Sequence, residues 1–147
     1  ARRAGVGHRC DLRVADLAPV SVAALRLFPG ITAELVANVL RPPLAGLVLE
    51  TYGSGNAPSR DPALLEAIAA AVERGVVVVN TTQCLRGGVD MSGYATGSAL
   101  SRAGVVSGAD MTPEAALAKL IWLLGQGLEP DRVRDLVARD LRGELTA

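Results

Sequence analysis

Two short segments of this sequence are rich enough in hydrogen-bonding side chains to matter chemically. The first, Tyr52-Gly53-Ser54-Gly55-Asn56-Ala57-Pro58, joins two glycines, which let backbone approach a ligand, to Asn56, whose amide both donates and accepts. The second, Asn80-Thr81-Thr82-Gln83-Cys84, places four hydrogen-bonding side chains and a thiol one after another behind an apolar run. Spacing alone favours plainer readings of both. A Gly-rich stretch after a strand is more often a tight turn, and the second run is expected to cap loop backbone. Cys84 then reads as an inert buried thiol, because no adjacent basic residue would lower its pKa. The three spaced glycines of a dinucleotide site are absent. A Cys or Ser nucleophile would have His8 as its only candidate base, and His8 lies in an irregular lead-in, which disfavours a triad. Glu50, Asp61, Asp90 and Asp110 show no spacing that selects two of them as an acid/base pair.

These segments need strands to carry them. The run from Leu44 to Tyr52 is apolar on both alternating faces, as befits a strand buried between two helical layers, and Val76-Val77-Val78-Val79-Asn80 is a second such strand. A shorter run, Ala23 to Phe28, closes at the Pro29-Gly30 turn, and Gly104 to Gly108 reads as a short fourth strand. Between them, Thr32 caps a helix ending before Pro42-Pro43, Asp61 caps one running to about Arg74, and Tyr94 to Ala103 forms a third. Thr112 caps a helix from Pro113 to about Gly125, and Pro130 opens a last one through Arg139, whose Arg/Asp alternation reads as a solvated face. Trp122 and Met111 read as core or interface packing. Strands alternating with helices predict an α/β domain: a small doubly wound, flavodoxin- or Rossmann-like sheet of about four parallel strands with helices on both faces. Residues 1–22 lack any sustained period and read as a linker or lead-in, leaving residues 23–147 as the domain.

Composition narrows the function classes. At 147 residues the chain has the length of one domain. Fifteen Lys and Arg balance fifteen Asp and Glu, so no net field draws in nucleic acid or an anionic membrane. Four aromatic residues provide no stacking platform for bases. One His and two Cys, Cys10 and Cys84, are too few for a Cys-rich or His-rich zinc site or a disulfide scaffold, so no metal is expected. No apolar run approaches the ~20 residues of a membrane helix, and a cytoplasmic location is expected.

Taken in order, five blocks carry a resemblance: the Asn56 loop; Val77 through Cys84; Gly93-Tyr94-Ala95-Thr96-Gly97; Gly108 through Leu120; and Leu141-Arg142-Gly143-Glu144-Leu145-Thr146. Over about residues 23 to 146 the chain resembles the carboxyl-terminal domain of cytoplasmic (type I) L-asparaginases. The resemblance implies a hydrolase that converts L-asparagine and water to L-aspartate and ammonia with a Thr nucleophile and no cofactor. It also implies that the nucleophilic Thr, a second Thr and the Lys-Asp pair belong to an amino-terminal domain. This chain would then hold no catalytic residue and be inactive alone. Its implied partners are L-asparagine, that amino-terminal domain and further copies in a dimer or tetramer. Asn56 matches the family Asn that reaches across the subunit interface to the substrate. Thr82 and Cys84 match positions lining a separate asparagine-binding regulatory site, where bacterial members commonly carry Arg at the position of Glu50. The charge reversal at Glu50 removes a partner for the effector carboxylate and implies weakened allosteric control. Two other classes keep the same core: a stand-alone amino-acid-binding regulatory module, and a structural dimerisation domain without catalysis.

Overall fold

The computed structural model describes residues 14–58, 61–91 and 95–146; His8, Cys10, Gly93 and Tyr94, all singled out above, lie outside them. Four strands, β1 (Ser21–Arg26), β2 (Leu44–Thr51), β3 (Val77–Thr82) and β4 (Val106–Ser107), form one parallel sheet in the order β1-β2-β3-β4. Each passage to the next parallel strand runs through a helix: α1 (Ala33–Val39), α2 (Pro62–Glu73) and α3 (Ala95–Arg102). Two more, α4 (Pro113–Gly125) and α5 (Pro130–Val137), follow β4.

The apolar runs of β2 and β3 are explained by what covers them. Leu47, Leu49 and Val78 pack with Val36 of α1, Leu64 and Ile68 of α2 and Leu100 of α3 on one face. Val48, Val77 and Val79 pack with Leu120 and Leu123 of α4 and Val133 and Val137 of α5 on the other. Both faces of the two central strands are thus buried, and alternation of polar and apolar residues has no place there. The expected α/β layering with helices on both faces holds. Among the described residues the strand order runs β1-β2-β3-β4 without a reversal, and the second face is covered by the two helices that come after the last strand.

Helix starts follow the chemistry read from the sequence. Thr32, Asp61 and Thr112 accept hydrogen bonds from Leu35 N, from Ala63 and Leu64 N, and from Ala115 N, each cap being worth about 1 kcal/mol. Two boundaries differ. β1 begins at Ser21 and ends at Arg26, two residues ahead of the apolar run, because its edges are set by pairing with Leu44 through Glu50 rather than by its own hydropathy. The last helix ends at Val137, and its Arg134 is not simply solvated: besides the ion pair with Asp131, its guanidinium donates to Val72 O and Val76 O, tying α5 to the end of α2. No helix among the described residues is long and apolar enough to cross a membrane.

Candidate functional site

Both chemistry-bearing segments lie at the carboxyl ends of the two central strands, where three loops converge. The Asn56 loop is a tight turn closed by reciprocal backbone hydrogen bonds between Tyr52 and Asn56, at 2.9 and 2.8 Å. Three successive carbonyls of this turn are then held from outside. Gly53 O accepts from the Thr82 hydroxyl, Ser54 O from Asp90 N at 2.9 Å, and Gly55 O from Asn80 Nδ2 at 3.3 Å. Asn80, fully buried, also accepts from Thr51 Oγ1 at 2.7 Å, so one amide fixes both the strand end and the turn. Gly55 sits at φ 111°, and a Cβ there would meet Val89 Cγ1 at 2.7 Å. The turn is therefore a tight one, as spacing suggested, but immobilised on β3 so that Asn56 is presented, half-buried, from a rigid base.

The second segment behaves largely as a backbone cap. Thr82 Oγ1, besides donating to Gly53 O, accepts from Cys84 N at 3.0 Å. Gln83 Nε2 donates to Leu27 O and Glu50 O at 2.7 and 2.9 Å, stapling the ends of β1 and β2. The expectation for Cys84 is corrected: its side chain is exposed, not buried, because the residue lies beyond the end of β3 on a loop that leaves the sheet.

Next to this segment lies a cavity of about 180 Å³, walled by Arg26, Thr82, Gln83, Cys84, Leu85 and Gly87 on one side and by residues 110–114, which lead into α4, on the other. The structure thus brings Thr82 and Cys84 together and adds Arg26, which sequence reasoning missed. Arg26 Nε and Nη2 donate to Glu50 Oε2 at 2.8 and 2.6 Å, so Glu50 stands behind the cavity wall as the counter-ion of an arginine. The signal was the parallel register, in which Arg26 is the partner of Glu50. Asn56 does not line this cavity, although its turn is tied to Thr82 through Gly53 O. Of the other carboxylates, Asp61 caps α2, and Asp110 is held below the usual carboxylate value by Thr146, first through its side chain and then through its backbone N–H. Among the described residues no three His, Cys, Asp or Glu side chains come together as metal ligands would.

Comparison with known proteins gives a consistent picture. Residues 21–137 match the family described as glutaminase/asparaginase C-terminal domain. The chain is 48% identical over 136 residues to L-asparaginase 1 of Escherichia coli K12, covering 92% of this chain and 40% of that protein. It is 56% identical over 126 residues to the human protein named 60 kDa lysophospholipase, covering 85% of this chain and 22% of the relative. The crystal structure of L-asparaginase I from Vibrio cholerae superposes with a TM-score of 0.84 at 51% identity, over 89% of this chain and 39% of that one. The chain spans 40% or less of the length of these relatives.

Proposed function

Because this chain belongs to the glutaminase/asparaginase C-terminal domain family, we propose that it serves as the carboxyl-terminal domain of an L-asparaginase, an amidohydrolase that turns L-asparagine and water into L-aspartate and ammonia. The domain begins with β1 at Ser21, two residues ahead of the boundary expected from the sequence, and the residues before it are its connection. The nucleophile belongs to a partner amino-terminal domain, and this chain contributes Asn56 to the active site of a neighbouring subunit in a cytoplasmic homo-oligomer. The observation that carries the reading is the Asn56 turn, pinned through three consecutive carbonyls to Thr82, Asp90 and Asn80. A turn fixed this firmly suits an amide that must keep its position for a substrate it does not itself cleave.

The cavity beside Thr82 and Cys84 is, in this reading, the effector site. Arg26 supplies the cationic group there, restrained by Glu50.

The test is ammonia release. The purified chain is expected to release none from L-asparagine, and an enzyme assembled with an amino-terminal domain is expected to release it. In that enzyme Asn56→Ala lowers kcat/KM at unchanged thermal stability. Hydrolysis by the chain alone would overturn the reading by placing the nucleophile in this chain, and unchanged kinetics in Asn56→Ala would overturn it in favour of the regulatory-module or dimerisation alternatives.

A further inference from the structure

The segment after α5 has no regular secondary structure, yet it is tied down at both ends. Its near end is caught by Lys119 of α4, whose side chain is 5% exposed. The ammonium donates to Val137 O at 2.9 Å, to Arg139 O and to the carboxylate of Glu144, which accounts for all three of its protons. Glu144 in turn accepts from Leu141 N and Arg142 N, winding residues 141–144 around its own carboxylate, while Leu141 and Leu145 pack against the core beneath α4 and α5. The far end reaches the loop between β4 and α4, where Thr146 N donates to both oxygens of Asp110 at 3.0 and 3.2 Å.

Asp110 is also part of the cavity wall facing Thr82 and Cys84. The loop that carries it, residues 108–112, is held from the sheet side, by Gly108 N to Asn80 O at 2.8 Å, Ala109 N to Ser107 Oγ at 3.1 Å, Val89 N to Ala109 O at 2.8 Å and the buried Met111 side chain, whereas Asp110 itself lies exposed on its outer edge. One end of the segment is therefore anchored in a saturated ion pair whose lysine is buried, and the other meets the exposed edge of that loop. We propose that residues 138–146 act as a strap, with Lys119 and Glu144 as positioning residues that hold the β4–α4 loop, and with it one wall of the Thr82/Cys84 cavity, in place. The strap works by restricting the loop, and this does not depend on which ligand the cavity takes.

Amide hydrogen exchange on the 147-residue chain, resolved residue by residue, tests this. Thr146→Pro removes the donor to Asp110 at an exposed position and leaves the buried ion pair alone; Glu144→Gln weakens the catch itself. In both, the amides of Val89 and Met111 are expected to exchange about tenfold faster or more, while those of Leu47 to Leu49 and Val77 to Val79 keep their native rates. A merely structural role would not produce that pattern, since a global loss of stability speeds the sheet amides as well. Unchanged Val89 and Met111 rates in Thr146→Pro would overturn the proposal, and so would acceleration in Glu144→Gln shared equally by loop and sheet.

Discussion

Arg26 and Glu50, register partners at the carboxyl ends of β1 and β2, share one carboxylate oxygen between two guanidinium hydrogens, at 2.8 and 2.6 Å. Their surroundings differ: the Arg26 side chain is 64% exposed and that of Glu50 only 12%. Removing either partner therefore has unequal consequences. Arg26→Met leaves a largely enclosed carboxylate without its cation and is expected to cost about 1–2 kcal/mol. Glu50→Gln leaves a guanidinium already in water and should cost under about 1 kcal/mol. Urea denaturation of the two variants decides, and equal losses would mean that Glu50 is better hydrated than its position implies.

Gly55 and Gly53 both hold positive φ in the Asn56 turn, at 111° and 53°, but only Gly55 is crowded. A methyl at Gly53 would have Asn56 Nδ2 at 3.8 Å, an ordinary contact, whereas one at Gly55 would press on Val89 Cγ1 at 2.7 Å and Asn80 Nδ2 at 3.2 Å. Gly53→Ala should lose about 1 kcal/mol from backbone strain. Gly55→Ala adds overpacking and should lose about 2–4 kcal/mol, with a matching fall in Tm. The order of the two melting temperatures checks the claim that the turn is clamped at its second glycine.

Acid should release the strap. Although desolvation by burial opposes it, the hydrogen bond from Lys119, together with those from its own backbone and from Leu141 and Arg142, lowers the Glu144 carboxyl from 4.5 to about 2. A carboxylate whose folded pKa lies below its unfolded one contributes stability that is fully present above about 4.5 and is lost as pH falls through about 2. Wild-type chain should thus lose stability more steeply than Glu144→Gln between those two values, and the curves should run parallel above pH 5. Denaturation midpoints measured from about pH 2 to 7 would show it; parallel curves throughout would remove Glu144 as the source.

How much of this was legible beforehand depended on whether a feature was local. The buried strands announced themselves through unbroken apolar runs, and the helix starts through Thr32, Asp61 and Thr112, because a strand covered on both faces and an N-cap each leave a signature within a few residues. The capping role of Thr82 was also legible as a type of behaviour, though its partner, Gly53 O, lies 29 residues away. What escaped was set by register. Arg26 sits in a run that reads as an ordinary short strand, and only the alignment of β1 on β2 turns it into the counter-ion of Glu50. Lys119 carried no signal of its own in the sequence, because its partners are carbonyls and a carboxylate of residues 137–144, which fold back over it. The exposure of Cys84 was missed for the same reason: an apolar strand precedes it, and nothing local tells that the chain leaves the sheet there.

The Arg26–Glu50 pair also bears on ligand binding at the Thr82/Cys84 cavity, on the reading that an amino acid occupies it. A cation is present in the wall, so a glutamate at position 50 does not by itself leave the site without positive charge. Arg26 is engaged, however, and an incoming carboxylate must compete with Glu50 for the same hydrogens. Glu50→Gln removes the competitor and the repulsion together while keeping the side chain's size. A charge-assisted contact is worth about 1.5–3 kcal/mol, so L-asparagine should bind the variant at least about tenfold more tightly than the wild-type chain. The gain must run through the guanidinium: adding Arg26→Met to Glu50→Gln should abolish it. Calorimetric titration of the wild-type chain, the single variant and the double variant measures this directly. Tighter binding that survives in the double variant would show that the carboxylate is held by groups other than Arg26, and equal affinity in all three would place the ligand elsewhere.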